Sequence, residues 1–163
     1  MYIYFYFLTE SNIFTIFWCL HYIFPPQQKV VREDDGVKYR KKHTIIDSQD
    51  SFAFVAETQD ELDAKIKLLK VQNKSIQPKL LIIGDIGNIK SISIYFDDIK
   101  YPFLTILSAI DTLFKMFFVF NLHYPEESEV FYSFLQDFLY EIPLKKKYAK
   151  ISAIKSDILS LNA

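Results

Sequence analysis

FLTILSAIDTLFKMFFVFNLHYPEESEVFYSFLQDFLYEI, residues 103–142, decides the fold. It holds two aromatic-rich helical patterns joined at His123-Tyr124-Pro125. The first, Phe103 to Leu122, is apolar enough to suggest a membrane span, but its polar residues argue otherwise. Thr105, Ser108, Thr112 and Lys115 recur at helical spacing and line one narrow face, with Asp111 beside them. Asp111 and Lys115 stand four apart with the acid first, a pair that contributes about 0.2–0.5 kcal/mol on an exposed helix. Near the middle of a bilayer each of those charges would cost about 2.5–3.5 kcal/mol. The pattern therefore predicts a mostly buried helix with one wet edge.

The second pattern places Phe131, Phe134, Leu135, Phe138, Leu139 and Ile142 at i, i+3, i+4, i+7, i+8 and i+11, the stripe of a core-facing helix. Pro125 suits a first helical position, which needs no amide donor. Glu126, Glu127 and Glu129 then set negative charge against the positive end of the helix dipole, and Pro143 stops the helix. A link this short predicts two antiparallel neighbours, and Phe138, mid-stripe, is the expected centre of the core.

Working outward, Ser51 to Ala56 (SFAFVA) reads as a strand. Thr58 and Glu61 match a capping box that opens a helix running to about Gln72. Leu62, Ile66 and Leu69 form its apolar face, and Glu61–Lys65 and Asp63–Lys67 are i,i+4 pairs on its wet side. KLLIIG (Lys79 to Gly84) is a continuous apolar run and predicts a central strand, followed by a turn at DIGN. Ile92, Ile94 and Phe96 alternate with Ser91, Ser93 and Tyr95 in a half-buried strand, and Asp97-Asp98 makes a second turn. Loops this short allow only antiparallel pairing between Lys79 and Tyr101. The sum is an α+β domain over residues 43–142: a small antiparallel sheet packed on a capped helix and a C-terminal aromatic helical hairpin.

The flanks read differently. Residues 1–42 are an apolar leader followed by a polar linker. The leader, MYIYFYFLTESNIFTIFWCLHYIFPP, has no Lys or Arg before Lys29 and no small-residue cleavage site, so it does not match a secretory signal. Three alternatives stand for it: non-native or disordered sequence, a membrane anchor, or a packed strand or helix. In the linker Asp35-Gly36 signals a turn, and a hairpin is the corresponding expectation. Residues 143–163 form a basic amphipathic tail, with Ile151, Ile154, Ile158 and Leu161 on one helical face. Residues 43–142 alone are expected to fold without either flank.

The order of a capped helix at Thr58–Glu61, a strand ending Gly84-Asp85, an alternating strand, DTLFKMFFVFNLHYPEE and FYSFLQDFLYEI resembles a recurring domain of unknown function. That domain occurs in uncharacterised, transposon-associated animal proteins. The resemblance covers about residues 43–142, carries no catalytic signature and so implies no site residues.

Composition narrows the function. With 163 residues there is room for one domain, and hydrophobic residues at 50% lie at the top of the globular range of about 45–50%. The net charge of −1 gives no global pull toward polyanions. The single cysteine, Cys19, can form no internal disulfide, and bulky apolar neighbours give it no cation to activate it. His21, His43 and His123 lie in unrelated segments, so IGDIGN reads as a turn and not as part of a two-metal centre. GDIGN also fails the dinucleotide and P-loop patterns. Asp97-Asp98 and Glu126-Glu127 read as a turn and a helix start. His123 has no identifiable nucleophile or orienting acid.

The sequence thus predicts no catalytic, cofactor or metal residues and a non-enzymatic protein-interaction module, acting on a protein partner or on itself. Tyr95, Tyr101, Tyr124, Tyr132 and Tyr140 are the aromatics expected at its surface. A nucleic-acid-binding role is the alternative, through Lys38, Arg40, Lys41 and Lys42 and through Lys145, Lys146 and Lys147. The nearby Arg32-Glu33-Asp34-Asp35 offsets part of the first cluster. An intracellular location is the expectation, with membrane association only if the residues 1–24 are a native anchor.

Overall fold

The computed structural model describes residues 8–32, 38–71 and 77–161. The Asp35-Gly36 turn, the helix end expected at about Gln72 and residues 1–7 lie outside them. The chain is α+β. Helix α1 (Glu10–Ile23) is followed by strands β1 (Lys29–Arg32) and β2 (Lys38–Lys41), helix α2 (Ile45–Phe52), strand β3 (Ala53–Ala56) and helix α3 (Gln59–Val71). Strands β4 (Lys79–Asp85), β5 (Asn88–Phe96) and β6 (Ile99–Phe103) come next, then helices α4 (Ile106–Val119), α5 (Glu129–Phe134) and α6 (Ala149–Ser160).

A four-stranded sheet in the order β3-β4-β5-β6 forms the middle layer. The meander from β4 to β6 is antiparallel, and β3 joins it parallel to β4. The sheet is therefore mixed, because α3 supplies the crossover that a parallel pair requires. Successive side chains on a strand point to opposite faces. Leu81 and Tyr95 accordingly pack with Phe54, Leu62 and Ile66 beneath α3. Leu80, Ile82, Ile92 and Ile94 face the other way, into the main core with Ile106, Ile110, Leu113, Phe114 and Phe117 of α4. The wet edge expected of α4 is present, with an Asp111–Lys115 ion pair of 2.6 Å.

The main core does not stop at residue 43. Ile13, Phe14 and Phe17 of α1, with Phe24 just after it, are buried in the same cluster. Phe24 stacks on Phe134 with ring centroids 4.2 Å apart. Polar bonds stitch α1 to α4 and the sheet as well: the Glu10 carboxylate accepts from the Ile106 amide at 2.5 Å, and Ser11 Oγ accepts from the Ile89 amide at 3.2 Å. Among the three alternatives for the leader, residues 8–24 take that of a packed helix. No helix among the described residues is long and apolar enough to cross a membrane.

Helix α2 is absent from the sequence reading, although its signal is Thr44-Ile-Ile-Asp47. Thr44 Oγ1 accepts from the Asp47 amide at 3.0 Å and Asp47 Oδ2 accepts from the Thr44 amide at 2.7 Å, a reciprocal capping box. Ser51 and Phe52, expected in a strand, end this helix. At α3 the expected box is only half made. The Glu61 amide donates to Thr58 Oγ1, while Glu61 Oε2 accepts from the Glu57 amide. The expected i,i+4 pairs of α3 give way to tertiary contacts: Asp63 pairs with Lys100, and Lys65 donates to the Val55 carbonyl at 2.7 Å.

The second aromatic helix also differs. Pro125 opens a turn, its carbonyl accepting from the Ser128 amide, and α5 begins at Glu129. From Leu135 to Leu139 the backbone widens to π-helical pairing, and the Tyr140 amide reaches the Leu135 carbonyl. A stripe laid out for 3.6 residues per turn rotates out of register there. Phe131 is fully buried, Phe138 half-buried and Leu139 exposed, so the centre of the core lies at Phe131. The tail docks too, with Ile151 buried and Lys155 bonded to Asp137 at 3.0 Å.

Candidate functional site

Two surfaces and one buried polar group stand out. The first surface lies at the open end of the sheet. Asp97 (φ 49°) and Asp98 (φ 64°) form a two-residue hairpin with both central residues left-handed, the type I′ geometry that matches strand twist. The register pairs Phe96 with Ile99, Ile94 with Tyr101 and Ile92 with Phe103, so these six share the face toward α4. α4 covers this face incompletely. Phe103 is half-buried, Tyr101 is exposed, and Ile99 is 50% exposed. The Phe120 ring closes on Phe96 at 4.9 Å yet stays 51% exposed, and Val119 beside it is 75% exposed.

Both outer edges of the sheet are blocked to a further strand. Alternation from the hairpin makes Ser93–Pro102 a pair without mutual hydrogen bonds, so the amide that Pro102 lacks is the one that would face outward. On the opposite edge, Lys65 occupies the Val55 carbonyl. A charged side chain and a proline at the edges are recognised guards against strand addition.

The second surface is basic. β1 and β2 form a separate antiparallel ribbon, with Lys29 opposite Lys41 and Arg32 opposite Lys38. All four residues of β2 are exposed. At its base Lys41 pairs with Glu126 at 3.1 Å, and His43 lies 3.8 Å from both Glu126 and Glu127. The acidic pair thus faces the ribbon instead of starting a helix. Lys146 donates to Gln27 Oε1 at 3.3 Å, two residues before β1. The two basic clusters named from sequence, about 105 positions apart, thereby flank one ribbon base.

Lys145 and Lys146 also line a groove of about 420 Å³ between the end of α4, α5 and residues 142–148. Its polar side chains satisfy one another. Tyr124 donates to Gln136 Oε1 at 3.0 Å, Gln136 Nε2 donates to the Pro143 carbonyl at 3.2 Å, and Tyr148 donates to Glu129 at 2.7 Å. Burial, and then the hydrogen bond to Glu129, push the Tyr148 hydroxyl up to about 12. His123 is exposed on the lining of this groove. These bonds hold the 142–148 segment in place.

Of the tyrosines expected outside, Tyr95 and Tyr132 are buried and Tyr124 and Tyr140 half-buried, leaving Tyr101 exposed. The aromatic content serves the core. Phe114 stacks on Tyr140 at 3.8 Å and Tyr124 on Tyr132 at 5.0 Å.

The buried polar group is His21. Its Nδ1 shares a 2.7 Å hydrogen bond with Ser48 Oγ, and its ring stacks 4.0 Å from Phe131. A Ser–His pair is the beginning of a nucleophilic site. Here both residues are completely buried, and His21 Nε2 has no partner among the described residues, so the pair has neither substrate access nor an orienting acid. Burial holds the imidazole down from 6.5 to about 3. The unfolded chain therefore takes up a proton near pH 6.5 that the folded chain refuses. Stability is fully present above that pH and declines as pH falls toward about 3, by up to about 1.4 kcal/mol per pH unit from this one group. Urea midpoints measured between about pH 7.5 and 5 should fall, and His21→Leu should flatten that decline; an unchanged slope in the variant would place the imidazole in water.

No family model, no curated protein and no solved structure matches this chain.

Proposed function

We propose that this chain is a non-enzymatic protein-interaction module whose docking surface is the open end of the sheet. One observation carries the reading: Ile99, paired with Phe96, and Phe120, whose ring meets it, keep half or more of their surface in water, and Val119, next to Phe120 in the chain, is 75% exposed. Scattered apolar residues on a surface are ordinary, whereas aromatic and branched apolar residues drawn together around one ring are the composition of an interface centre. The partner presents a helix or a folded face, because Pro102 and Lys65 leave neither sheet edge open to an added strand.

A photo-crosslinking residue placed at Val119 of the full chain, in its native cells, tests this. The expected result is one discrete adduct that disappears when Phe120→Asp is added. An adduct of equal intensity in that variant, or none at all, would overturn the proposal.

A further inference from the structure

We infer that the β1–β2 ribbon and the Lys145–Lys147 segment form one binding surface for the phosphate backbone of a nucleic acid. Residues 29–42 carry six basic against three acidic residues, and every β2 side chain is exposed. Strand alternation puts Lys38 and Arg40 on one side of the ribbon, about 6.6 Å apart, and the exposed Lys42 follows directly after β2. That separation is close to the spacing of successive phosphates on an extended strand, so one cation can serve each phosphate.

The ribbon stands apart from the four-stranded sheet. Glu126 takes Lys41, on the other side of the strand, and Gln27 and Glu129 take Lys146. Among the described residues Lys38, Arg40, Lys42, Lys145 and Lys147 are exposed with no carboxylate within ion-pairing distance. The Lys146–Gln27 bond brings the second group of lysines to the ribbon base. The net charge of −1 is unevenly distributed, with nine of the 19 Lys and Arg residues in 29–42 and 145–147. Tyr39, exposed on the ribbon's second side, offers an unpaired base a ring to stack on. A duplex would instead admit the ribbon to its major groove. This inference stands independently of the apolar docking surface.

Fluorescence anisotropy of the full chain tests it with a labelled single strand and a duplex of the same sequence, across a salt series. Five phosphate contacts predict a log–log salt slope of about −3.5 on the single strand and about −4.5 on the duplex, a loss of about 100-fold or more between roughly 50 and 200 mM salt. Tighter binding of either form identifies the one the surface serves. The triple variant Lys38→Gln, Arg40→Gln, Lys42→Gln should reduce the slope by about 2–3 units, and Lys145→Gln with Lys147→Gln by about 1–2. Lys67→Gln, on the exposed side of α3, should leave affinity and slope unchanged, and matching circular dichroism shows that each variant folds. No binding, an equal loss in the Lys67 variant, or binding confined to vesicles of acidic lipid would overturn the inference.

Discussion

Residues 43–142 expressed alone will fail to show a cooperative thermal transition, whereas residues 8–161 will show one. The shorter fragment contains the capped helix α3, the meander and both aromatic helices, and by pattern it is self-consistent. It lacks Phe14, Phe17 and Phe24, which are buried against Phe52, Phe131 and Phe134 in the main core. Each large-to-small aromatic truncation in a core costs about 3–5 kcal/mol, and removing the helix outright strips several such residues together. A domain has only about 5–15 kcal/mol in hand. The fragment also loses the Glu10 carboxylate at the start of α4 and exposes the buried His21 site on Ser48. Circular dichroism melts and sedimentation of the two fragments decide the matter. A sharp melt and a monomer for residues 43–142 would mean that α1 adds nothing to the core.

Phe131→Ala will destabilise the protein by about 3–5 kcal/mol, and Phe138→Ala by clearly less, about 1–2 kcal/mol. Phe131 has no exposed surface and touches three rings: His21 at 4.0 Å, Phe52 at 5.0 Å and Tyr132 at 5.3 Å. Its removal leaves a cavity bounded by α1, α2 and α5, elements too firmly tied to collapse into it. Phe138 is half in water and packs chiefly on Phe134, so truncation exposes a neighbour instead of hollowing the core. Guanidinium unfolding of the two variants measures the ordering. A larger loss at Phe138 would mean that the helix continues past Leu135 with ordinary α-helical pairing.

The site was less legible than the fold. Lys38–Lys42 and Lys145–Lys147 were visible as two charge runs, but the Lys146–Gln27 bond that makes them neighbours has no local signal. The apolar end of the sheet was hidden for a related reason. Phe118, Val119 and Phe120 read as the end of a buried helix, since a run of apolar residues does not say how far its cover extends. Tyrosine misled in the opposite direction. Its ring packs into a core as readily as it faces a partner.

What the sequence determined by itself was carried within about ten residues. The α3 start at Thr58, the Asp97-Asp98 hairpin, the alternation of β5 and the wet edge of α4 all follow from side-chain period, capping and turn chemistry. What only the tertiary structure decided is whatever depends on distant partners. α1 has a weak amphipathic pattern and becomes core because Phe52, Phe131 and Phe134 await it. β3 runs parallel to β4 because α3 carries the chain back across the sheet. The widened turn at Leu135–Leu139 redirects a stripe that 3.6-residue spacing had aimed inward. Local propensity sets which elements form; burial of the combined apolar surface, a property of the whole chain, sets where they go.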